Sequence, residues 1–313
     1  MELEVRILAQ LIKLQDYISR YEWNAYRYPS QFIRLKQDNW QKLNALWLKR
    51  EEMTEIDIHT TEEISRSPKW KIWKKKEQVE ELNVQDETSS LPNSKIELKQ
   101  FFLDRLLQIQ LKWATSTVTD LSFIDKSYAS DPEIKYFLQR FPDTYLIMYY
   151  PIFNIKKAPV DGEIILISPI GVEIIYLMDE GIGTTIMAGD ERTWTVTDED
   201  EQRKVLNPHI PLKRTEQIVK SVLNYNKIDF PIQKTVLSKT NNIIFSEEPF
   251  QTKIIGRQQY EQWFQDKRTL SSPLKNRQLK VAEALLNHCQ TTSVKRPEWE
   301  EEQTTFEFAD DEL

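Results

Sequence analysis

The chain has 313 residues, of which 40% are hydrophobic, and its formal net charge at pH 7 is −7. This length allows one large domain or two smaller ones, and the apolar content is sufficient for a buried core. The acidic balance argues against a protein that binds nucleic acid over its whole surface, so any such binding must be confined to a local basic patch.

Cysteine and histidine usage excludes several kinds of site. The single cysteine, Cys289, rules out an internal disulfide and a cysteine-based zinc cluster. His59, His209 and His288 lack a second ligand at metal-binding spacing, so they are interpreted as surface or capping residues. The acidic N-terminus is unlike a secretory signal, and no apolar run approaches the ~20 residues that span a bilayer. We therefore expect a soluble cytoplasmic protein without a transmembrane segment.

Two amphipathic helices are predicted for domain 1–53. Apolar side chains recur at steps of three and four residues over 3–21, and a second apolar stripe covers 30–53. Together these stripes predict an N-terminal helical hairpin. Either the two stripes pack on each other, or Trp40 and Trp47 leave an apolar face for a protein partner or for a second copy of the chain in a homodimer.

Residues 54–93 lose this periodicity and are predicted to be a flexible linker. Within it lies a basic segment with interleaved aromatic residues: Lys69, Trp70, Lys71, Trp73, Lys74, Lys75 and Lys76. Its lysines could clamp phosphates while the tryptophans stack on bases, which makes it a candidate nucleic-acid-binding site. An anionic membrane surface, or a solvated charge run without a ligand, would also explain this composition.

The third segment, 94–292, alternates helical patterns with apolar strands. Helices are predicted at 96–115, 131–140, 212–223, 258–264 and 273–287, with Ser94 as the N-cap of the first. Strands are predicted at 145–155, 164–167, 172–177, 184–187, 193–196, 232–237 and 243–245. Those at 184–187 and 193–196 are expected to continue the sheet of the central hairpin. This order predicts an α/β or α+β domain, with a mixed sheet flanked by helices.

The central pair of predicted strands is separated by residues typical of a β-hairpin turn. Ser168, Pro169, Ile170 and Gly171 separate two β-branched runs, and Glu163 stands just before the first strand. In its order of acidic residue, strand, Pro-x-Gly turn and strand, the hairpin resembles the NERD (nuclease-related) domain, a branch of the PD-(D/E)xK nuclease fold. The resemblance implies a restriction-endonuclease-like sheet, and it extends over about 133–264.

The resemblance also assigns positions to the catalytic residues of that family. Aligned on the Pro-x-Gly turn, Glu163 matches the family's aspartate, Tyr176 its glutamate and Met178 its lysine. Glu133 occupies about the place of a glutamate on the preceding helix. Such nucleases hold a divalent metal between carboxylates and place the lysine near the attacking water. A phenol with a pKa of about 10 and a soft thioether do not replace those groups.

The leading hypothesis is therefore a degenerate nuclease site, without catalytic residues and without a metal cofactor. The chain would act as a nucleic-acid-binding or protein-interaction module, with Lys213 and Arg214 on the helix after the hairpin as further nucleic-acid-binding candidates. One alternative is a helical scaffold that does not contact nucleic acid.

A second alternative is a nuclease that depends on Mg²⁺ or Mn²⁺ and has a rebuilt active site. Glu163 would be the metal ligand, helped by Glu173 or Asp179. The displaced cation would come from Lys204, Lys213, Arg214 or Lys220. Alternation along a strand argues against Glu173, because it should face away from Tyr176.

Residues 293–313 are predicted to be an acidic disordered tail, because 297–313 contains eight acids and no base. Such a tail could bind a basic groove of a protein partner, or shield the protein's own nucleic-acid surface. It could also serve only to raise solubility.

Overall fold

A computed structural model describes residues 7–56, 91–155, 158–181, 183–189, 192–198, 201–249 and 251–296. The basic aromatic segment at 69–76 and the acidic stretch at 297–313 lie outside the described residues. The helices within the described part are α1 (Arg20–Trp23), α2 (Arg27–Ile56), α3 (Lys95–Trp113), α4 (Pro132–Arg140), α5 (His209–Tyr225), α6 (Arg257–Arg268) and α7 (Asn276–Leu286).

Most of the strands belong to two sheets. The first seven are β1 (Gln10–Leu14), β2 (Asp120–Leu121), β3 (Leu146–Tyr149), β4 (Ile152–Ile155), β5 (Ala158–Asp161), β6 (Ile164–Ile167) and β7 (Val172–Leu177). The others are β8 (Thr185–Met187), β9 (Thr193–Thr197), β10 (Gln202–Leu206), β11 (Ile232–Leu237), β12 (Asn242–Ile244), β13 (Thr252–Ile255) and β14 (Val294–Lys295).

A six-stranded mixed sheet forms the centre of the fold, in the order β1-β3-β6-β7-β11-β13. Strands β3, β6 and β7 form an antiparallel meander. The other neighbours are parallel: β1 to β3, and β11 to both β7 and β13. The connection from β7 to β11 contains β8 to β10 and then helix α5, which packs on both strands. Helices around a mixed sheet confirm the predicted α/β or α+β class.

The predicted central hairpin is present, as the antiparallel pair β6 and β7. Its turn is closed by the backbone N–H of Ser168, which donates to the Gly171 carbonyl at 2.9 Å. The Ser168 hydroxyl also accepts from the Gly171 N–H at 3.1 Å. A Cβ on Gly171 would come within 3.2 Å of the Pro231 carbonyl oxygen, so glycine lets the turn pack closely under the start of β11.

The strands predicted at 184–187 and 193–196 do not continue this sheet, and that prediction is wrong. Strands β8 and β9 belong to a separate four-stranded sheet with the order β10-β9-β8-β12. The physical reason is that β11 already occupies the free edge of β7. Trp194 on β9 is 1% exposed and belongs to the buried core of the protein.

The first predicted helix is also wrong, because Gln10–Leu14 forms the edge strand β1 and only the short α1 follows it. All five residues of β1 are buried. Leu11, Ile12 and Leu14 are spaced as in one turn of a helix and also as in a short buried strand, and periodicity alone does not distinguish the two over so few residues. The N-terminal helical hairpin is therefore not formed.

The second predicted helix is confirmed as α2, which packs against its own chain. Trp40 lies against Phe102 of α3, with ring centroids 5.1 Å apart. Trp47 is 7% exposed, and its indole N–H donates to the Pro92 carbonyl at 2.8 Å. The two tryptophans are thus used inside this chain rather than exposed for a partner.

The predicted strand at 145–155 is divided into two. Strand β3 ends at Tyr149, and β4 leaves the main sheet to pair with β5. Between them Tyr150 has a φ of 45°, in the left-handed region, and Pro151 follows. A bulky residue rarely adopts this conformation, and such strain is often found at functional sites.

The remaining helices agree with the sequence, with shifted ends. Ser94 caps α3 as predicted, because its hydroxyl accepts from the Glu97 N–H at 3.2 Å and the Glu97 carboxylate accepts from the Ser94 N–H at 3.3 Å. Helices α4 to α7 correspond to the other predicted helices.

The outer edge of β1 is protected by one side chain of α3. The Gln110 carboxamide accepts a hydrogen bond from the Leu11 N–H at 2.9 Å and donates one to the Ala9 carbonyl at 3.1 Å. Gln110 is 0% exposed, so water does not reach these backbone groups. The side chain takes the place of a neighbouring strand.

We expect Gln110→Met to lower the free energy of unfolding by about 1–3 kcal/mol, because it leaves a buried N–H and a buried carbonyl without partners. Chemical denaturation measures the change. Gln108→Met, at an exposed position of the same helix, is the control and should change stability by less than about 0.5 kcal/mol. Equal effects of the two substitutions would contradict the edge-pairing role.

Candidate functional site

Three of the four residues that the sequence assigned to the nuclease positions lie at one end of the central sheet. There the first turn of α4 meets the end of β3, the start of β6, the end of β7 and the first turns of α5. We call this group the tyrosine-acid site. Its members are Asp131, Glu133, Tyr149, Tyr150, Glu163, Tyr176 and Arg214.

Glu133 is held against the end of β3. The Tyr149 hydroxyl donates to the Glu133 carboxylate at 3.1 Å and lies 3.5 Å from the carboxylate of Asp131. Asp131 is the N-cap of α4, and one of its oxygens accepts from the N–H groups of Glu133 and Ile134. Burial, followed by the charge of Glu133, raises the pKa of Tyr149, so this phenol is a hydrogen-bond donor at neutral pH.

Glu163 stands immediately before β6 and is 8% exposed. Its backbone N–H donates to the Thr215 hydroxyl of α5 at 3.1 Å. Its carboxylate lies 3.9 Å from the Arg214 guanidinium, and it accepts no hydrogen bond from the described residues. Burial raises the pKa of Glu163 to about 6, while Arg214 lowers it and Asp161 raises it. A carboxylate that is poorly compensated in this way is typical of a functional site.

Two phenols complete the site. Burial raises the pKa of Tyr176, and the charges of Glu163 and Glu180 add to this effect. Burial also raises the pKa of Tyr150, with contributions from Glu133, Glu163 and Tyr176. Tyr150 therefore lies within electrostatic reach of residues from three different elements.

The sequence analysis missed Asp131, Tyr149 and Tyr150 as members of the site. The available signal was their position: Asp131 precedes a proline at a helix start, and the two tyrosines precede a proline at a strand end.

Met178, at the position of the family's lysine, supplies no charge. Its side chain is buried at 5% exposure, and its backbone N–H donates to the Leu237 carbonyl at 2.9 Å. The position that would carry an amine is thus occupied by a neutral thioether in the core.

Glu173 lies on the other face of the sheet, as alternation along β7 predicts. Its carboxylate accepts from the Thr235 hydroxyl at 2.6 Å and from the Trp263 indole at 3.0 Å, and it pairs with Lys267. These partners fully engage Glu173 away from the tyrosine-acid site.

Asp179 is engaged as well. It pairs with the Lys239 ammonium at 2.8 Å and accepts from the Lys239 backbone N–H at 2.6 Å. It also accepts from the Ser238 hydroxyl at 3.1 Å. This carboxylate therefore fixes the loop after β11.

Three of the basic candidates lie on α5 and one lies on β10. Lys213 and Arg214 are exposed on the first turns of α5, and Arg214 reaches the tyrosine-acid site through Glu163. Lys220 pairs with Glu216 at 2.8 Å one turn further on. Lys204 lies in β10 of the second sheet. Of these cations, Arg214 is the one placed beside a carboxylate of the site.

The residues of the site do not fit the metal centre of the resembled family. In the part of the chain that the structure describes, no group of three or more histidine, cysteine, aspartate or glutamate side chains is arranged to hold a metal ion. Glu133 and Glu163 offer carboxylate oxygens, which hard cations prefer. Tyr176 offers a phenol whose raised pKa keeps it protonated.

The described histidines and the cysteine interact with residues other than the members of the site. Packing against Trp194 partly buries His209, and burial followed by the charge of Lys234 lowers its pKa, which corrects the expected surface or capping role. His288 bonds through Nδ1 to the Ala284 carbonyl at 2.8 Å. Burial raises the pKa of Cys289 to about 12, so this thiol is a poor nucleophile. His59 is outside the described residues.

Comparisons with known proteins do not assign a family. No family model matches the chain, and no solved structure matches it. A stretch of 40 residues is 55% identical to an RNA 2',3'-cyclic phosphodiesterase of Geobacillus stearothermophilus. This match spans 13% of the chain and 13% of that relative's length.

No helix in the described ranges combines the length and the apolar character that crossing a membrane requires.

The raised pKa of Glu163 predicts a pH-dependent effect of Glu163→Gln. The folded pKa of about 6 lies above the ordinary 4.5. Folding therefore favours the protonated acid, and this contribution is present below pH 4.5 and lost as the pH rises through 6. We expect Glu163→Gln to raise the free energy of unfolding at pH 7.5 by up to about 2 kcal/mol, and to have little effect at pH 4.

Glu216→Gln is the matched control for this measurement by chemical denaturation. Burial alone would raise the pKa of Glu216, but hydrogen bonds from Lys220 and Lys234 outweigh burial and lower it. Glu216→Gln should therefore lower stability at pH 7.5, with a smaller effect at pH 4. A Glu163→Gln effect that is the same at both pH values would contradict the assigned pKa.

Proposed function

We propose that this chain contains a nuclease-related domain of the NERD type, with a restriction-endonuclease-like fold, that has lost its catalytic residues and acts as a nucleic-acid-binding module. The order α4, β3, β6, β7, α5, β11 supports the proposal, because a helix, a three-stranded meander, a helix and a parallel strand form the expected frame. The observation that carries it is the placement of Glu133, Glu163 and Tyr176 around Tyr150, whose pKa all three raise.

The chemistry of this site favours binding over cleavage. Tyr176 stands where a metal-binding carboxylate is expected, and a protonated phenol is a poor ligand for Mg²⁺. Met178 stands where an amine would stabilise the phosphate, and it is buried. Both changes remove charge from the end of β7, so neither the ion nor the phosphodiester would be held there.

The start of α5 is the surface that suits a phosphate backbone. Lys213 and Arg214 are exposed on its first turns, and the N-terminus of a helix adds its own partial positive charge. The carboxylates of Asp131, Glu133 and Glu163 repel phosphates. A nucleic acid would therefore run along α5 rather than enter the tyrosine-acid site.

We expect the natural chain to bind a labelled oligonucleotide in a salt-dependent manner, measured by fluorescence anisotropy. The double substitution Lys213→Gln, Arg214→Gln should weaken binding and reduce the slope of log K against log salt by about 1.4–1.8, since each phosphate contact contributes about 0.7–0.9. Lys95→Gln, at an exposed lysine of α3, should leave the slope unchanged. No binding of the natural chain at low salt would favour the scaffold hypothesis instead.

One observation favours a second candidate function, a metal-dependent nuclease with a rebuilt site. The guanidinium of Arg214, 3.9 Å from Glu163, is a cation of α5 beside the carboxylate that the resemblance assigns to the metal. In this reading Mg²⁺ or Mn²⁺ would be the cofactor, and Glu133 and Glu163 would be its protein ligands.

A plasmid-nicking assay with Mg²⁺ or Mn²⁺ separates the two candidates. We expect the natural chain to nick no faster than Glu163→Ala, because two carboxylates without an adjacent amine form an incomplete centre. Metal-dependent nicking by the natural chain that Glu163→Ala abolishes would establish the nuclease and overturn the non-catalytic proposal. Addition of a chelator is the control, because nicking that persists without the metal comes from a contaminating activity.

A further inference from the structure

Helix α5 presents a face to solvent that carries no exposed acid. Beyond its first turn, the exposed side chains are Lys213, Arg214, Gln217, Lys220, Ser221, Asn224 and Tyr225. Glu216, the one acid in the helix, is 5% exposed and lies under its ion pairs with Lys220 and Lys234. On a chain with a net charge of −7, this is a local basic surface.

The polar residues of this face are spaced to follow a strand of nucleic acid. Lys213, Gln217, Lys220 and Asn224 are separated by steps of four, three and four residues, which places them on one side of the helix. From Lys213 to Tyr225 the helix rises by about 18 Å, at about 1.5 Å per residue. That length corresponds to about five stacked nucleotides, at about 3.4 Å each.

The face ends in a groove of about 580 Å³ beside the C-terminus of α5. Its lining includes two lysines, Lys220 and Lys227, and the apolar side chains of Leu223, Ile228, Phe230 and Ile232. Asp229, an acid in the lining, is paired with Arg277 at 3.3 Å. The volume is within the range of ordinary small-ligand sites, and it suits one nucleotide.

Tyr225 provides an aromatic surface at the C-terminal end of α5. It follows Asn224 in the chain, and its side chain is 81% exposed. His288 contacts its ring edge-on, with the centroids 6.2 Å apart. A large, exposed and partly fixed ring is a stacking platform for an unpaired base.

We propose that the exposed face of α5 and the groove at its C-terminus form a binding track for single-stranded nucleic acid. Phosphates lie along Lys213, Lys220 and Lys227, and a base stacks on the exposed ring of Tyr225 at the C-terminal end of the helix. This inference rests on the proposed nucleic-acid-binding function and names its ligand class. A duplex does not fit equally well, because its bases are stacked on each other and their faces are not available to Tyr225.

The test measures binding of the full chain to a fluorescein-labelled 12-nucleotide deoxythymidine strand and to a labelled 12-base-pair duplex. We expect Tyr225→Ser to weaken binding of the single strand about tenfold and to leave duplex binding unchanged. Tyr225→Trp should restore binding, because the larger ring also stacks. Phe123→Ser, at a side chain that is 79% exposed on another part of the surface, is the control and should have no effect.

A second variant tests the lysines of the track. In Lys220→Gln, Lys227→Asn, the slope of log K against log salt for the single strand should fall by about 1.4, from two contacts of about 0.7 each. Asparagine is chosen because Lys227 has a φ of 54°, and asparagine tolerates the left-handed region well. Lys95→Gln is again the charge control.

The outcomes distinguish this inference from the proposed function. If the natural chain binds oligonucleotides but the Tyr225 and lysine variants bind as well as it does, the track is wrong while the binding function remains. If the duplex shows the same dependence on Tyr225, the single-strand preference is wrong. If the natural chain binds neither oligonucleotide but binds phosphatidylserine vesicles through these lysines, the face is a lipid-binding surface, and both proposals fail.

Discussion

The antiparallel pairing of β6 with β7 is the constraint on which the rest of the structure depends. Ile164 lies opposite Ile175, and Ile167 opposite Val172. Since side chains alternate along a strand, this register directs Tyr176 to the α5 side of the sheet and Glu173 to the α6 side. Addition of β3 and β11 on the two outer edges of the pair then brings α4 and α5 to the same end of the sheet. The tyrosine-acid site exists because these elements meet there.

Buried carboxylates on the two sides of the sheet are stabilised to different degrees. Glu173 has a hydroxyl, an indole N–H and an ammonium as partners, and Glu216 has two ammonium groups. Among the described residues, the ion-pair partner of Glu163 is the Arg214 guanidinium, at 3.9 Å. A buried carboxylate with several hydrogen-bond and charge partners is typical of a structural network. A buried carboxylate with few partners has a raised pKa, and it destabilises the fold when it ionises. This imbalance is the physical reason for proposing Glu163 as a functional residue.

Charge is distributed unevenly over this protein, so the negative net charge of the whole chain does not hold for each part of its surface. The net charge is −7, yet α5 buries its only acid and exposes lysine, arginine and neutral side chains. The site beside it is acidic and rich in phenols. An electrostatic boundary thus runs between the start of β6 and the face of α5, and it would guide a phosphate backbone along the helix and away from the carboxylates.

The sequence by itself determined the features that depend on near neighbours: the central hairpin and its turn, the Ser94 cap, most helices, and the opposite orientation of Glu173 and Tyr176. It also selected Glu133, Glu163 and Tyr176 through a family resemblance. Only the tertiary structure decided that Gln10–Leu14 is a strand, that β8 and β9 form a second sheet, and that Tyr149 and Tyr150 join the site. Strand pairing, burial and the pKa of Glu163 depend on residues far apart in the chain, and a local pattern does not specify which distant groups will be its neighbours.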